Sequence, residues 1–150
     1  MKISLEAIKQ LREETNAGVA DCRQALEESK GDIKKAREWI RRHAITRAEK
    51  KSERKVAAGA VFSYVHHNQT LGSLVTLACE TDFVAKNDQF QKLGHELAMQ
   101  VAAAKPTTLP ELLKGEYVRD PRKKVAELIK ETIGILGENI QIVDFKVLSI

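Results

Sequence analysis

Leu74-Val75-Thr76-Leu77-Ala78-Cys79-Glu80-Thr81-Asp82-Phe83-Val84-Ala85-Lys86-Asn87-Asp88 is the stretch on which the fold turns. The apolar run from Leu74 to Cys79 predicts a strand. An acid, a bare phenylalanine and a β-branched residue follow before the next helix can begin. Phe83 follows the polar run Glu80-Thr81-Asp82 and has no evident place in a core of its own. Two readings are open. Either Phe83 caps the core from the loop, or the loop carries an aromatic probe beside a carboxylate, the kind of anchor that dominates protein interfaces.

Downstream, Asn87 is a candidate N-cap, and Phe90, Leu93, Leu97 and Val101 mark an amphipathic helix that Lys105-Pro106 should end. Leu109 to Gly115 reads as a turn segment with room for one helical turn. Pro121 suits a helix N-terminus, with Val125, Leu128, Ile129, Thr132 and Leu136 on its face and Gly137 at its end. Ile140 to Leu148 closes the chain as a strand that alternates Val143, Phe145 and Val147 against Asp144 and Lys146. Upstream, Ala60 to His67 and Leu71 to Cys79 form a hairpin signal around Asn68-Gln69-Thr70. The order strand, strand, helix, helix, strand predicts a three-stranded antiparallel sheet with helices over it. Such a sheet has two edge strands, which invite pairing with another chain.

The first 45 residues are written in helix punctuation. Leu5, Ile8 and Leu11 recur at helical spacing behind Ser4, and Thr15-Asn16-Ala17-Gly18 breaks the pattern. Val19, Cys22 and Leu26 line a second short helix that Gly31 stops. Asp32 can cap a third, carrying Ile33, Ala36 and Ile40. Arg41 to Lys55 then turns basic (Arg41, Arg42, Arg47, Lys50, Lys51, Arg54, Lys55), diluted by Glu49 and Glu53. The expected organisation is α+β: a three-helix domain over residues 1–45, a basic helical linker over 46–57, and an α+β core over 58–150.

Forty-three per cent apolar residues and 31% charged residues mark a folded globular chain rather than a disordered one. A net charge of +4 favours an acidic partner, although 21 acids interleave with the bases. The sequence holds no apolar run long enough to span a bilayer, and Met1-Lys2-Ile3-Ser4-Leu5-Glu6 enters a charged pattern at once. No signal peptide and a cytoplasmic location are therefore expected. Cys22 and Cys79 are read as buried free thiols. His66 and His67 read as adjacent strand residues on opposite faces, poorly placed to share a metal. Neither a phosphate-binding glycine loop nor a nucleophile with a base and an orienter is legible. The expectation is a protein that is not an enzyme and needs no metal or cofactor.

Three stretches together resemble the bacterial elongation factor Ts family. Ile8-Lys9-Gln10-Leu11-Arg12-Glu13-Glu14-Thr15-Asn16-Ala17-Gly18-Val19-Ala20-Asp21-Cys22-Arg23-Gln24-Ala25-Leu26, followed by Gly31-Asp32, is similar to its N-terminal module. Cys79 to Asp88 resembles its signature around Thr-Asp-Phe-Val, and Gly137-Glu138-Asn139-Ile140 the motif before its last strand. Asn16 stands where the family usually has glycine, and Val19-Ala20 where it usually has two methionines.

The resemblance implies a ubiquitin-associated-like three-helix domain followed by a dimerisation-type α+β core. It also implies guanine-nucleotide exchange on elongation factor Tu, bound in its GDP-loaded and nucleotide-free forms, by a chain that pairs as a homodimer. Thr81, Asp82, Phe83 and Val84 would then form the inserted loop, with Phe83 as the wedge. Arg12, Val19, Asp21 and Cys22 would be the matching contacts of the N-terminal module. Two alternatives stay open: a protein-binding module without exchange activity on a dimerising core, and an RNA-binding protein that uses the basic linker.

Overall fold

The computed structural model describes residues 2–150. Three helices open the chain: α1 (Leu5–Thr15), α2 (Val19–Glu28) and α3 (Ile33–Glu49). Their ends follow the capping chemistry. The Ser4 hydroxyl accepts from the Ala7 amide at 3.1 Å, and an Asp32 carboxylate oxygen accepts from the Lys35 amide at 3.1 Å. Asn16 ends α1 with φ of 58°, in the left-handed region that asparagine tolerates better than most residues, so the turn survives without glycine. Leu11, Cys22, Ala25, Leu26, Ala36 and Ile40 form a small buried core, and each large apolar side chain there contributes roughly 1.5–3 kcal/mol. Leu5 is not part of it. As the first residue of α1 it extends past this small core into solvent.

The second module is built on the antiparallel strands β1 (Ala58–Val65), β2 (Leu71–Cys79) and β5 (Ile140–Ser149), in the order β1-β2-β5. Between β2 and β5 lie α4 (Asp82–Ala85), α5 (Asp88–Ala104), α6 (Leu109–Lys114), the short strands β3 (Glu116–Tyr117) and β4 (Asp120–Lys124), and α7 (Val125–Leu136). Helix α5 buries Phe90, Leu93, Leu97 and Val101 against the inner sheet face, where Phe62, Val75 and Leu77 meet them. Helix α7 adds Val125, Ile129 and Ile133 to the same core.

Several expectations give way to the structure. The segment from Leu109 is a capped helix, with the Thr108 hydroxyl accepting from the Glu111 amide at 3.2 Å. Pro121 sits in β4, not at a helix start, and α7 begins at Val125. The β3–β4 hairpin that displaces the helix start is pinned by the buried Gln100. Its amide donates to the Glu116 carbonyl at 3.0 Å, and its oxygen accepts from the Val118 amide at 2.9 Å. Strand β1 ends at Val65, so His66 and His67 lie in the turn, their ring centroids 4.1 Å apart rather than on opposite faces.

Val143 departs from the alternation as well. Thr76 pairs with Asp144 and Leu77 with Ile142, which leaves Val143 as the extra residue of a β-bulge. The bulge resets the face, so Ile140 and Ile142 point inward before it, Phe145 and Val147 pack inward after it, and Val143 is exposed.

The expected boundary at residue 45 falls inside α3, which is helical to Glu49, whereas residues 50–57 are turns and irregular backbone. Helix α3 therefore belongs to both modules. Its C-terminal half packs on α7, where Gly134 lets the backbones approach closely at Ala44. Arg41 reaches Glu127 at 2.9 Å and Glu131 at 3.9 Å, and Lys130 reaches Glu49 at 3.4 Å. A buried close approach with charged pairs at its rim holds the helical module on the core.

Candidate functional site

Because β2 and β5 are paired so that Cys79 lies opposite Ile140, the exit of one strand and the entry of the other are neighbours. Two separated stretches of sequence, 79–88 and 137–140, thereby become a single site. Gly137 closes α7 with φ of 78°, a conformation that glycine adopts without steric cost, and this turns the chain so that Glu138 faces the loop after β2.

That loop is a one-turn helix. Thr81 is the N-cap of α4, with extended backbone and a hydroxyl oxygen that accepts from the Val84 amide at 3.4 Å. Asp82 occupies the first helical position, and its negative charge suits a helix start. Ala85 is buried and Val84 half-buried against the core. Phe83 is 85% exposed. The reading of Phe83 as a core cap is therefore wrong: Val84 and Ala85 close the core, and the ring stands in solvent.

A phenylalanine that exposed is held in place from below. One Glu138 carboxylate oxygen accepts from the Glu80 amide at 3.1 Å and the Thr81 amide at 2.9 Å, and the other accepts from the Thr81 hydroxyl at 2.7 Å. In return, the Glu80 carboxylate accepts from the Asn139 amide at 2.8 Å. The Asn139 side chain, itself buried, donates to the Arg54 carbonyl at 2.8 Å, and Arg54 lies 3.7 Å from the Glu80 carboxylate. On the far side, the Gln91 side chain donates to the Ala85 carbonyl at 2.7 Å, and Asn87 caps α5 through the Gln89 amide at 2.8 Å. Cys79 lies beneath, with its thiol donating to the Thr81 carbonyl at 3.1 Å. Burial first, and the Glu138 carboxylate second, push that thiol's pKa up, so it is an inert packing group.

In the helical module the four singled-out residues separate by burial. Arg12 is exposed in the last turn of α1, and Val19 is 52% exposed at the start of α2. Cys22 is fully buried in the module core, its thiol raised in pKa by that burial; it offers no surface to a partner and serves as packing beneath α2. Asp21 takes a two-pronged ion pair from Arg47 on α3, both contacts at 2.7 Å. The hydrogen bond from Arg47 is the main cause that holds the Asp21 carboxyl below the ordinary carboxylate range, and burial opposes it. Beside this pair, Trp39 and His43 are stacked with ring centroids 3.6 Å apart.

Arg41, Arg47 and Arg54, three of the bases in the basic stretch from Arg41 to Lys55, are all engaged by acids of this chain. Among the described residues no group of His, Cys, Asp and Glu side chains could hold a metal ion, and no helix is long and apolar enough to cross a membrane.

The residues that hold the Thr81 to Val84 turn, namely Glu80, Glu138, Asn139 and Gln91, are not marked as its supports by the sequence. The available signal was the pairing of Glu80-Thr81 with Glu138-Asn139, two short polar stretches at the ends of strands that had to be neighbours if the sheet was β1-β2-β5.

The structure is thus a helical module locked onto an α+β core, with a braced aromatic tip standing in solvent at one strand exit. The sequence model of the family described as Elongation factor TS matches residues 80–150, which include the tip, its brace and the closing strand. A relative from Synechococcus elongatus named Elongation factor Ts is 40% identical over 187 aligned positions, covering 94% of this chain and 85% of that protein. Relatives of the same name from Thermotoga neapolitana and Microcystis aeruginosa are 37% and 36% identical, covering 97% of this chain and 95% and 76% of their own lengths. The chain belongs to the elongation factor Ts family, whose members are translation elongation factors. The Synechococcus alignment, at 187 positions, is longer than the 150-residue chain, so that relative carries residues within the matched span for which this chain has no counterpart.

Proposed function

We propose that this chain is a guanine-nucleotide exchange factor that binds elongation factor Tu and promotes GDP release during translation elongation in the cytoplasm. The observation that carries the reading is Phe83, a large apolar side chain kept in solvent on a backbone fixed from two sides. An exposed aromatic with no role in its own core is a hot-spot anchor awaiting a pocket.

Exchange needs no covalent chemistry. The factor binds the nucleotide-free partner more tightly than the GDP-bound one, and by linkage GDP then binds more weakly by the same factor. A GTPase holds its nucleotide through a phosphate loop, Mg²⁺ and the switch segments that both order. Phe83, entering an apolar gap near that site, shifts the elements that support it. Asp82 at the base of the ring positions the insertion through polar contacts, and Thr81 and Val84 hold the turn. Arg12 and Val19, with Asp21 fixed by Arg47, give the helical module an exposed edge at the α1–α2 turn that grips the partner separately.

The chain acts as a homodimer in this reading. The two edge strands remain available, but the outer sheet face is the stronger candidate surface. Val61, Leu74, Val65 and Leu148 are exposed on it across all three strands. The register sets Val61 beside Thr76 and Asp144, Ser63 beside Leu74 and Lys146, and Val65 beside Gly72 and Leu148. An apolar patch that carries both an acid and a base on one strand can meet a second copy of itself about a two-fold axis. A module that binds through its helical domain alone would have no use for the braced Phe83. The RNA reading is weakened by the acids that already occupy Arg41, Arg47 and Arg54.

The test is release of a fluorescent GDP analogue from elongation factor Tu, followed with and without this chain. Accelerated release that saturates with chain concentration is expected. An unchanged rate, with binding still detected, would leave a partner-binding module without exchange activity.

A further inference from the structure

We infer that Glu138 is the positioning residue of the exchange loop: from a separate strand entry, its carboxylate fixes the Thr81 turn so that Phe83 is presented already in its inserting pose. This rests on the exchange reading above and adds the device that makes the loop effective.

The geometry separates this role from ordinary packing. Glu138 approaches the loop from a separate chain segment, and its hydrogen bonds fall on the loop's N-terminal edge. It takes the Glu80 and Thr81 amides on one oxygen and the Thr81 hydroxyl on the other. These are the groups that set the start of α4, and Thr81 is also its N-cap. A one-turn helix cannot stabilise itself, because nucleation costs more than a single turn returns. The Thr81 turn therefore takes its shape from the groups that grip it, and Glu138 supplies three of those contacts.

The brace is reciprocal, since Glu80 accepts from the Asn139 amide. It is also anchored to the irregular stretch that follows α3, since Asn139 donates to the Arg54 carbonyl. Three chain segments far apart in sequence thus meet under one exposed ring. A ring on a loose turn would sample many poses and lose most productive encounters, because small misplacements cost large factors in rate.

The experiment compares the wild-type chain with Glu138→Ala and Glu138→Gln by two readouts. The first is exchange on elongation factor Tu, resolved into a maximal rate and a half-saturating concentration. The second uses no partner: the rate at which a maleimide labels Cys79, located by peptide mass, with Cys22 in the same chain reporting on the helical module.

Glu138→Ala should lower the exchange efficiency, the maximal rate divided by the half-saturating concentration, about ten- to hundredfold, because a turn that the wild-type chain holds fixed beforehand must then be ordered on the partner. Labelling of Cys79 should quicken because the Thr81 turn that covers it opens, while Cys22 stays protected. Glu138→Gln keeps an acceptor oxygen for both amides and should retain most of the rate and the protection.

If Glu138→Ala exchanges like the wild type and protects Cys79 equally, the inference is overturned. If both cysteines become reactive together, Glu138 merely holds the fold, and the inference fails in that way too. A wild-type chain without exchange activity would sink the exchange reading itself, while the labelling result would still decide whether Glu138 fixes the turn.

Discussion

Gly134 of α7 lies against Ala44 of α3 with no space for a side chain: a Cβ built at Gly134 would stand 2.3 Å from the Ala44 Cα. The relationship between the helical module and the core is therefore written into a single absent methyl group. Gly134→Ala forces the two helices apart or rotates one on the other. A loss of about 1–3 kcal/mol is expected, seen as a thermal midpoint lower by roughly 3–10 °C. The irregular stretch 50–57 should also become more sensitive to protease, and a variant as stable and as resistant as the wild type would contradict this packing.

The Asp21–Arg47 pair makes a prediction with a definite pH sign. Asp21 is held below its ordinary value of 3.8, chiefly by the Arg47 hydrogen bond. A carboxyl with a lowered folded-state pKa contributes stability above its unfolded pKa and loses it as the pH falls through the folded one. Asp21→Asn should therefore be less stable than the wild type at neutral pH, by no more than about 1 kcal/mol because the pair is partly solvated. The difference should close below about pH 4. Urea midpoints across that range measure it, and a constant offset at every pH would refute the assignment.

Gln100 is buried and satisfies both sides of its amide on the β3–β4 hairpin. Gln100→Leu fills the same space but leaves the Val118 amide and the Glu116 carbonyl without partners, at a cost of roughly 1–3 kcal/mol. Hydrogen exchange should show faster turnover of the hairpin amides while the β2 amides stay protected. Equal protection in the hairpin would mean that Gln100 does not pin it.

Leu74, half-exposed at the centre of the outer sheet face, tests the proposed dimer. Leu74→Glu introduces a buried unpaired charge only if a second copy covers that face. Light scattering should show a dimeric wild-type chain and a monomeric variant of the same thermal midpoint. A variant that remains dimeric would move the interface to the edge strands.

The periodic parts of this fold were legible. Phe90, Leu93, Leu97 and Val101 named the buried face of α5, and Asn87 named its cap, because a strong 3.6-residue repeat leaves few alternatives. Pro121 misled because proline suits a first helical turn and an exposed strand alike. The competing hairpin depends on Gln100, a residue from another helix that no local pattern announces. Val143 misled because a bulge is visible only in the partner strand's register.

The site divides in the same way. Thr81, Asp82 and Phe83 stood out as polar and aromatic residues at a strand exit. Glu138 became visible as part of the site only when β5 was placed beside β2. Cys22 lay on the apolar pattern of its helix and proved to be core.

The most direct measurement pairs exchange with folding in Phe83→Ala. The ring is 85% exposed in the free chain, so its removal should leave the thermal midpoint unchanged within error. If Phe83 is the wedge, the same variant loses about 2–4 kcal/mol of partner contact, and stimulated GDP release should fall roughly thirty- to thousandfold. Intact folding with near-abolished release is the predicted result. Release at the wild-type rate by a folded variant would contradict the account.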